Sequence, residues 1–136
     1  MTASHSSHIT SLLQVKQSLS EADTPLSIGL GRIVEGQEPL ILAELLDLLA
    51  KVKDGVHDVI HVCRDDQRLA SLKEGLEFFA PKLKVLSYSA WDCVPYDRSG
   101  PRADIIAERI ATLAQLEKGK RRGPRLILTT PRALLQ

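Results

Sequence analysis

Apolar residues recur along this chain with two different periods, and the two alternate. Between Thr10 and Leu19 the residues Leu12, Val15 and Leu19 are spaced by three and four, which predicts a short amphipathic helix ended before Pro25. Leu26 to Leu30 then reads as a strand, followed by a glycine-containing stretch and Pro39, a residue suited to the first turn of a helix. From Pro39 to Val52 the lines Ile41, Leu45, Leu48, Val52 and Leu42, Leu46, Leu49 form a stripe broad enough to lie against a sheet. Val56 to Val62 is a second strand, and Asp65 and Asp66 are good N-caps for a helix whose buried face carries Leu69, Leu72, Leu76 and Phe79, with Pro81 as its stop. Leu83 to Ser87 is a third strand. A loop from Ala90 to Pro101 leads to a helix over Ala103 to Glu117 with Ile106, Ile110 and Leu113 on one face. Arg125 to Thr130 is the fourth strand, and Pro131 opens another helix at which the sequence stops, as though cut from a longer chain.

Strands alternating with amphipathic helices imply a parallel sheet, because parallel neighbours need a crossover and the crossovers cover both faces. The expected class is α/β with three layers. The 136 residues are enough for one core, and a 43% apolar, 26% charged composition is that of an ordinary globular chain. A formal net charge of +1 supplies no global field for nucleic acid or an anionic membrane. No apolar run reaches the roughly 20 residues that span a bilayer, and the polar first ten residues lack a signal-peptide core, so a cytoplasmic location is expected. Cys63 and Cys93 are too far apart for a C-x-x-C site and are expected to be reduced. His5 and His8 could ligate a metal, but no Cys or carboxylate lies nearby and a disordered terminus is the simpler reading.

The chemistry worth weighing lies in the glycine stretch. A phosphate loop needs G-x-x-x-x-G-K-[ST] between a strand and a helix: backbone N–H groups cradle the phosphates, Lys reaches the outer ones and the hydroxyl binds Mg²⁺. Gly31 and Gly36 have the right spacing, yet Gln37 replaces the Lys and Glu38 the hydroxyl. A carboxylate in the first helical turn satisfies the helix dipole itself and repels phosphate. The residues alone leave two readings open, a degenerate phosphate loop and a plain tight turn. Either denies ATP hydrolysis, so no catalytic residue, metal or cofactor is assigned.

Two further groups stand out. Trp91 and Tyr96 either plug the carboxyl end of the sheet or, with Asp92, Asp97 and Arg98, form a partner-contact patch, since such loops are where α/β proteins bind ligands. Lys118, Lys120, Arg121, Arg122 and Arg125 are either a solvated helix-to-strand loop or a contact to DNA phosphates.

The stretch Ala90-Trp91-Asp92-Cys93-Val94-Pro95-Tyr96-Asp97-Arg98, with the helix ending Glu108-Arg109-Ile110-Ala111-Thr112-Leu113, resembles the N-terminal region of the bacterial transcription-repair coupling factors. His61 to Asp66, Phe78 to Pro81 and Leu126 to Thr130 add to the likeness, which spans Leu26 to Gln136. The resemblance implies a helicase-like fold similar to the first domain of the repair protein UvrB, with a degenerate nucleotide site. With the pattern read above, residues 1–24 are expected as a helix and flexible terminus, and the resemblance implies 25–136 as a UvrB-like domain truncated at its C-terminal end. The parent would displace RNA polymerase stalled at DNA lesions, using ATP and Mg²⁺ in a separate translocase, and would recruit excision repair through UvrA, mainly by a domain beyond this sequence. On that footing the chain is a non-catalytic module. The alternatives are a working helicase-type ATP-binding domain and a DNA-binding module acting through residues 118–125.

Overall fold

The computed structural model describes residues 7–9, 28–30, 33–34, 36–51, 58–93, 100–118 and 125–136. In chain order these form β1 (Ser7–Ile9), β2 (Ile28–Leu30), α1 (Glu38–Ala50), β3 (Asp58–Val62), α2 (Asp66–Phe79), β4 (Lys84–Tyr88), α3 (Ala103–Glu117), β5 (Arg125–Thr129) and α4 (Pro131–Leu134). The class is α/β. Every strand pair is parallel, but the strands divide into a two-stranded sheet, β1-β2, and a three-stranded one in the order β3-β5-β4. One continuous sheet was the expectation; among the described residues there are two. The expected helix from Thr10 to Leu19 lies outside the described residues. Ser7–Ile9 is a correction to the expected disordered start, since its backbone pairs with Ile28–Leu30.

β5 sits between its neighbours, with Asp58 and Lys84 both in register with Arg125, and all five of its residues are buried. That explains its near-continuous apolar run, because a central parallel strand meets a covering layer on each face. Leu126 and Leu128 turn to one face, where they pack with Leu42 and Leu46 of α1 and Leu69, Leu72 and Leu76 of α2. α1 and α2 come unusually close at one point. A Cβ built on Gly75 would lie 2.5 Å from the Pro39 ring, so the small residue sets the helix approach.

Residues of opposite parity, Leu86 and Tyr88 of β4, lie on the side of α3. Here the sequence reading needs correction. Ile110 is 61% exposed and Leu113 51%, whereas Arg109 and Thr112 are buried. The cause is the edge strand. Thr112 Oγ1 donates to the Ser87 carbonyl at 2.7 Å and Arg109 Nη1 to the Ser89 carbonyl at 2.7 Å. Leaving buried carbonyls unpaired costs about 1–3 kcal/mol each, enough to rotate the polar residues inward and the two apolar ones out. Phe79 is a second correction: at 46% exposed it ends α2 outside the core and meets Phe78 edge-to-face, ring centres 5.1 Å apart.

Candidate functional site

The glycine stretch enters α1 through a turn closed by the Gln37 N–H donating to the Val34 carbonyl at 3.0 Å. Gly36 has φ +93°, a left-handed conformation that side chains rarely adopt, so the second glycine of the motif is required by the backbone. Gly31 lies outside the described residues. Gln37 is the N-cap of α1 yet its side chain makes no capping bond, and it is exposed. Glu38 opens the helix and turns its carboxylate across to α2.

There the carboxylate meets two partners, Arg68 and His61. Glu38 Oε2 accepts from Arg68 Nη2 at 2.7 Å and from Arg68 Nε at 3.1 Å, while Oε1 lies 3.1 Å from His61 Nε2. The three side chains are only 22–28% exposed. They line a depression of about 360 Å³ with Val62, Cys63 and Arg64, at the carboxyl end of β3. A helix N-terminus, with its free N–H groups and positive dipole, is a ready site for an anion. In this chain a carboxylate of the same helix stands at that terminus, and Arg68 neutralises it. A phosphate arriving here would meet negative charge and a guanidinium already engaged.

The surrounding residues fix this arrangement. Asp65 caps α2 by accepting from the Arg68 N–H at 2.8 Å, which orients the residue that carries the guanidinium. That backbone bond, then the Arg64 side chain, hold the Asp65 carboxyl below its ordinary pKa. Cys63 is free and buried, and its thiol is pushed up to about 11, first by burial and then by the nearby Glu38 carboxylate. A thiol so raised is a poor nucleophile at neutral pH. Among the described residues no cluster of three or more His, Cys, Asp or Glu could hold a metal ion.

The tryptophan loop is anchored from α3. Arg109 lies 4.0 Å over the Tyr88 ring and 4.3 Å over the Trp91 ring, and its Nη2 donates to Tyr88 Oη at 2.6 Å. Asp92 Oδ1 accepts from the Arg102 N–H at 3.1 Å, tying the two ends of the loop together. Asp92 is therefore spent in part on loop closure. Pro95, Tyr96, Asp97 and Arg98, the rest of the expected contact patch, lie outside the described residues.

The basic cluster loses one member. Arg125 is buried and bound through Nε to Asp58 Oδ1 at 2.7 Å and through Nη2 to Oδ2 at 3.0 Å, with Nη1 on the Gln115 carbonyl. The Asp58 carboxylate, its register partner on β3, raises its pKa. It is a structural cation, not a DNA contact. Lys118 is exposed at the end of α3, and Lys120, Arg121 and Arg122 lie outside the described residues.

The sequence reading gave no role to His61, Arg68 or Arg109. One signal was available for Arg68: a cation in the first turn of a helix opposes the dipole and implies a counter-charge. Arg109 offered none, since its position falls beside an apolar stripe.

Comparison with known proteins adds a relationship. Residues of this chain are 27% identical over 84 positions to the transcription-repair-coupling factor of Rickettsia bellii (strain RML369-C), covering 62% of this chain and 7% of that protein. The chain thus matches under a tenth of that relative's length. No family model matches it, and no solved structure does. Among the described residues no helix is long and apolar enough to cross a membrane.

Proposed function

We propose that this region is a non-catalytic N-terminal module of a transcription-repair coupling factor, with a UvrB-like frame whose nucleotide site is degenerate. The observation that carries the reading is the Glu38 carboxylate standing at the start of α1 and bound by Arg68 and His61. On this reading its negative charge, beside the first turn of α1, takes the place a bound phosphate would need. The similarity to a transcription-repair-coupling factor supports a place in transcription-coupled repair; the parent of this reading moves RNA polymerase on DNA, powered by ATP and Mg²⁺ bound elsewhere. The module itself takes no cofactor. Its part is to hold recruitment surfaces for excision repair, UvrA among them, away from the motor. A working ATP-binding domain is disfavoured by Glu38, and a DNA-binding module is weakened by the engagement of Arg125 with Asp58.

A reconstituted reaction tests the division of labour. The full-length parent protein is compared with a version lacking this region, on RNA polymerase stalled at a lesion and with UvrA present. The shortened protein is expected to keep ATP-dependent polymerase release and to hold UvrA less well, because the recruitment domain beyond this region loses its platform. Loss of polymerase release to the same extent would place the region in the motor and overturn the proposal.

A further inference from the structure

The polarity of α3 is inverted. Its inward side is polar: Arg109 and Thr112 are buried against the edge of β4, and Glu108 Oε2 accepts from Ser89 Oγ at 2.9 Å. Its outward side is apolar. Ile110 is 61% exposed and Leu113 51%, and the other exposed positions between Asp104 and Glu117 are Ala107, Ala111 and Ala114. No exposed position in that stretch holds a charge. A helix that faces water turns its charged residues outward, and α1 and α2 do so, with Glu44, Asp47, Glu74 and Glu77 among their exposed positions. The pattern of α3 is that of a helix covered from outside.

The charges at the two ends of this face select what covers it. At the start stand Arg102 and Asp104, bonded to each other at 2.6 Å and both exposed, and at the end stand Glu117 and Lys118, also exposed. The four sum to zero, so a partner of one strong sign, such as nucleic acid or an anionic membrane, is not drawn to them. They complement a reversed copy of themselves. An antiparallel second α3 brings Asp104 of one copy to Lys118 of the other and Arg102 to Glu117, whereas a parallel one sets like charges together. Glu117 also lies in the last turn of α3, where no basic residue of the turn offsets the negative end of the helix dipole; the reversed helix brings its positive end there. The apolar centre matches as well. With the midpoint between Ile110 and Ala111, Ala107 meets Ala114 and Ile110 meets Ala111, large against small, which lets the two helices approach closely.

We infer that the outer face of α3 is a self-association surface, on which a second copy of this chain docks its own α3 antiparallel about a twofold axis. The contact is built on one helix of 15 residues, so it lies at the small end of specific interfaces and the dimer is weak, with a dissociation constant of about 100 µM. This goes beyond the module reading, which names no contact between copies, and it does not depend on the state of the Glu38 site.

Sedimentation velocity of the purified chain, from about 10 µM to about 1 mM, is expected to show the weight-average mass rising from one chain towards two. Ile110→Glu sets two carboxylates beside the twofold axis and is expected to weaken the dimer at least about ten-fold, with the melting temperature unchanged because the residue is exposed. Ala111→Glu, at a second exposed position of the same face, is expected to do the same. Asp104→Lys is expected to weaken the dimer about three-fold, and adding Lys118→Glu to recover most of that loss. A chain that stays monomeric at about 1 mM overturns the proposal. So does a dimer that survives both glutamate variants, which would place the contact elsewhere, for instance on the exposed Ile60 and Val62 of β3. A double variant no tighter than Asp104→Lys alone would overturn the antiparallel pairing.

Discussion

Replacing Arg68 by Ala is expected to destabilise the fold by about 2–3 kcal/mol, read as a lower urea midpoint with an unchanged slope. The change strands the Glu38 carboxylate in a depression where it is only 23% exposed, beside the raised Cys63 thiol, with His61 as its remaining partner. Breaking a fully buried pair from one side costs about 3–5 kcal/mol, and partial access to water lowers the figure here. The effect is large against a total stability of about 5–15 kcal/mol for a domain. Combining Arg68→Ala with Glu38→Gln is expected to recover at least about 1 kcal/mol, since the double variant removes the uncompensated charge. Additive losses would mean that the ion pair seen between α1 and α2 does not couple them.

Arg109→Ala should cost about 3 kcal/mol by the same measurement. The truncation removes a donor to the Ser89 carbonyl, a donor to the Tyr88 hydroxyl and a cation stacked on two rings, in a residue that is 5% exposed. A lost cation–π contact and two partly buried oxygens left unpaired account for a sum of that order. Trp91 reports the event directly, and its fluorescence should shift to longer wavelength as the ring loses its cover. Arg109→Lys is expected to restore less than half of the loss, because an ammonium can neither stack as a plane nor span two acceptors at once. Full rescue by Lys would show that charge alone matters at this position.

These two arginines also mark where the sequence was readable and where it was not. Helices and strands follow from local periodicity, so α1, α2 and β3 to β5 fall within a few residues of where the apolar spacing puts them. The departure of Gln37 and Glu38 from a motif whose chemistry is strict was legible too. The engagement of Glu38 was not. Glu38 meets Arg68 across 30 residues and an interhelical gap, and no local pattern records a contact of that range. The face of α3 was misread for a related reason. Its apolar line Ile106, Ile110, Leu113 is a genuine helical stripe, but the bare carbonyls of an edge strand drew Arg109 and Thr112 inward instead. Arg125 shows the same limit for charge: counted with its neighbours it belongs to a basic loop, and folding pairs it with Asp58. The split of the described strands into two sheets depends on tertiary placement, which periodicity does not encode.

The central claim, that this chain keeps a nucleotide-site framework closed by its own Glu38 carboxylate, is tested most directly by titrating the purified chain with Mg-ATP in a calorimeter. The account predicts no saturable heat up to millimolar nucleotide, and none with ADP. A dissociation constant in the micromolar range, weakened by Arg68→Ala, would contradict it and make Arg68 a phosphate ligand.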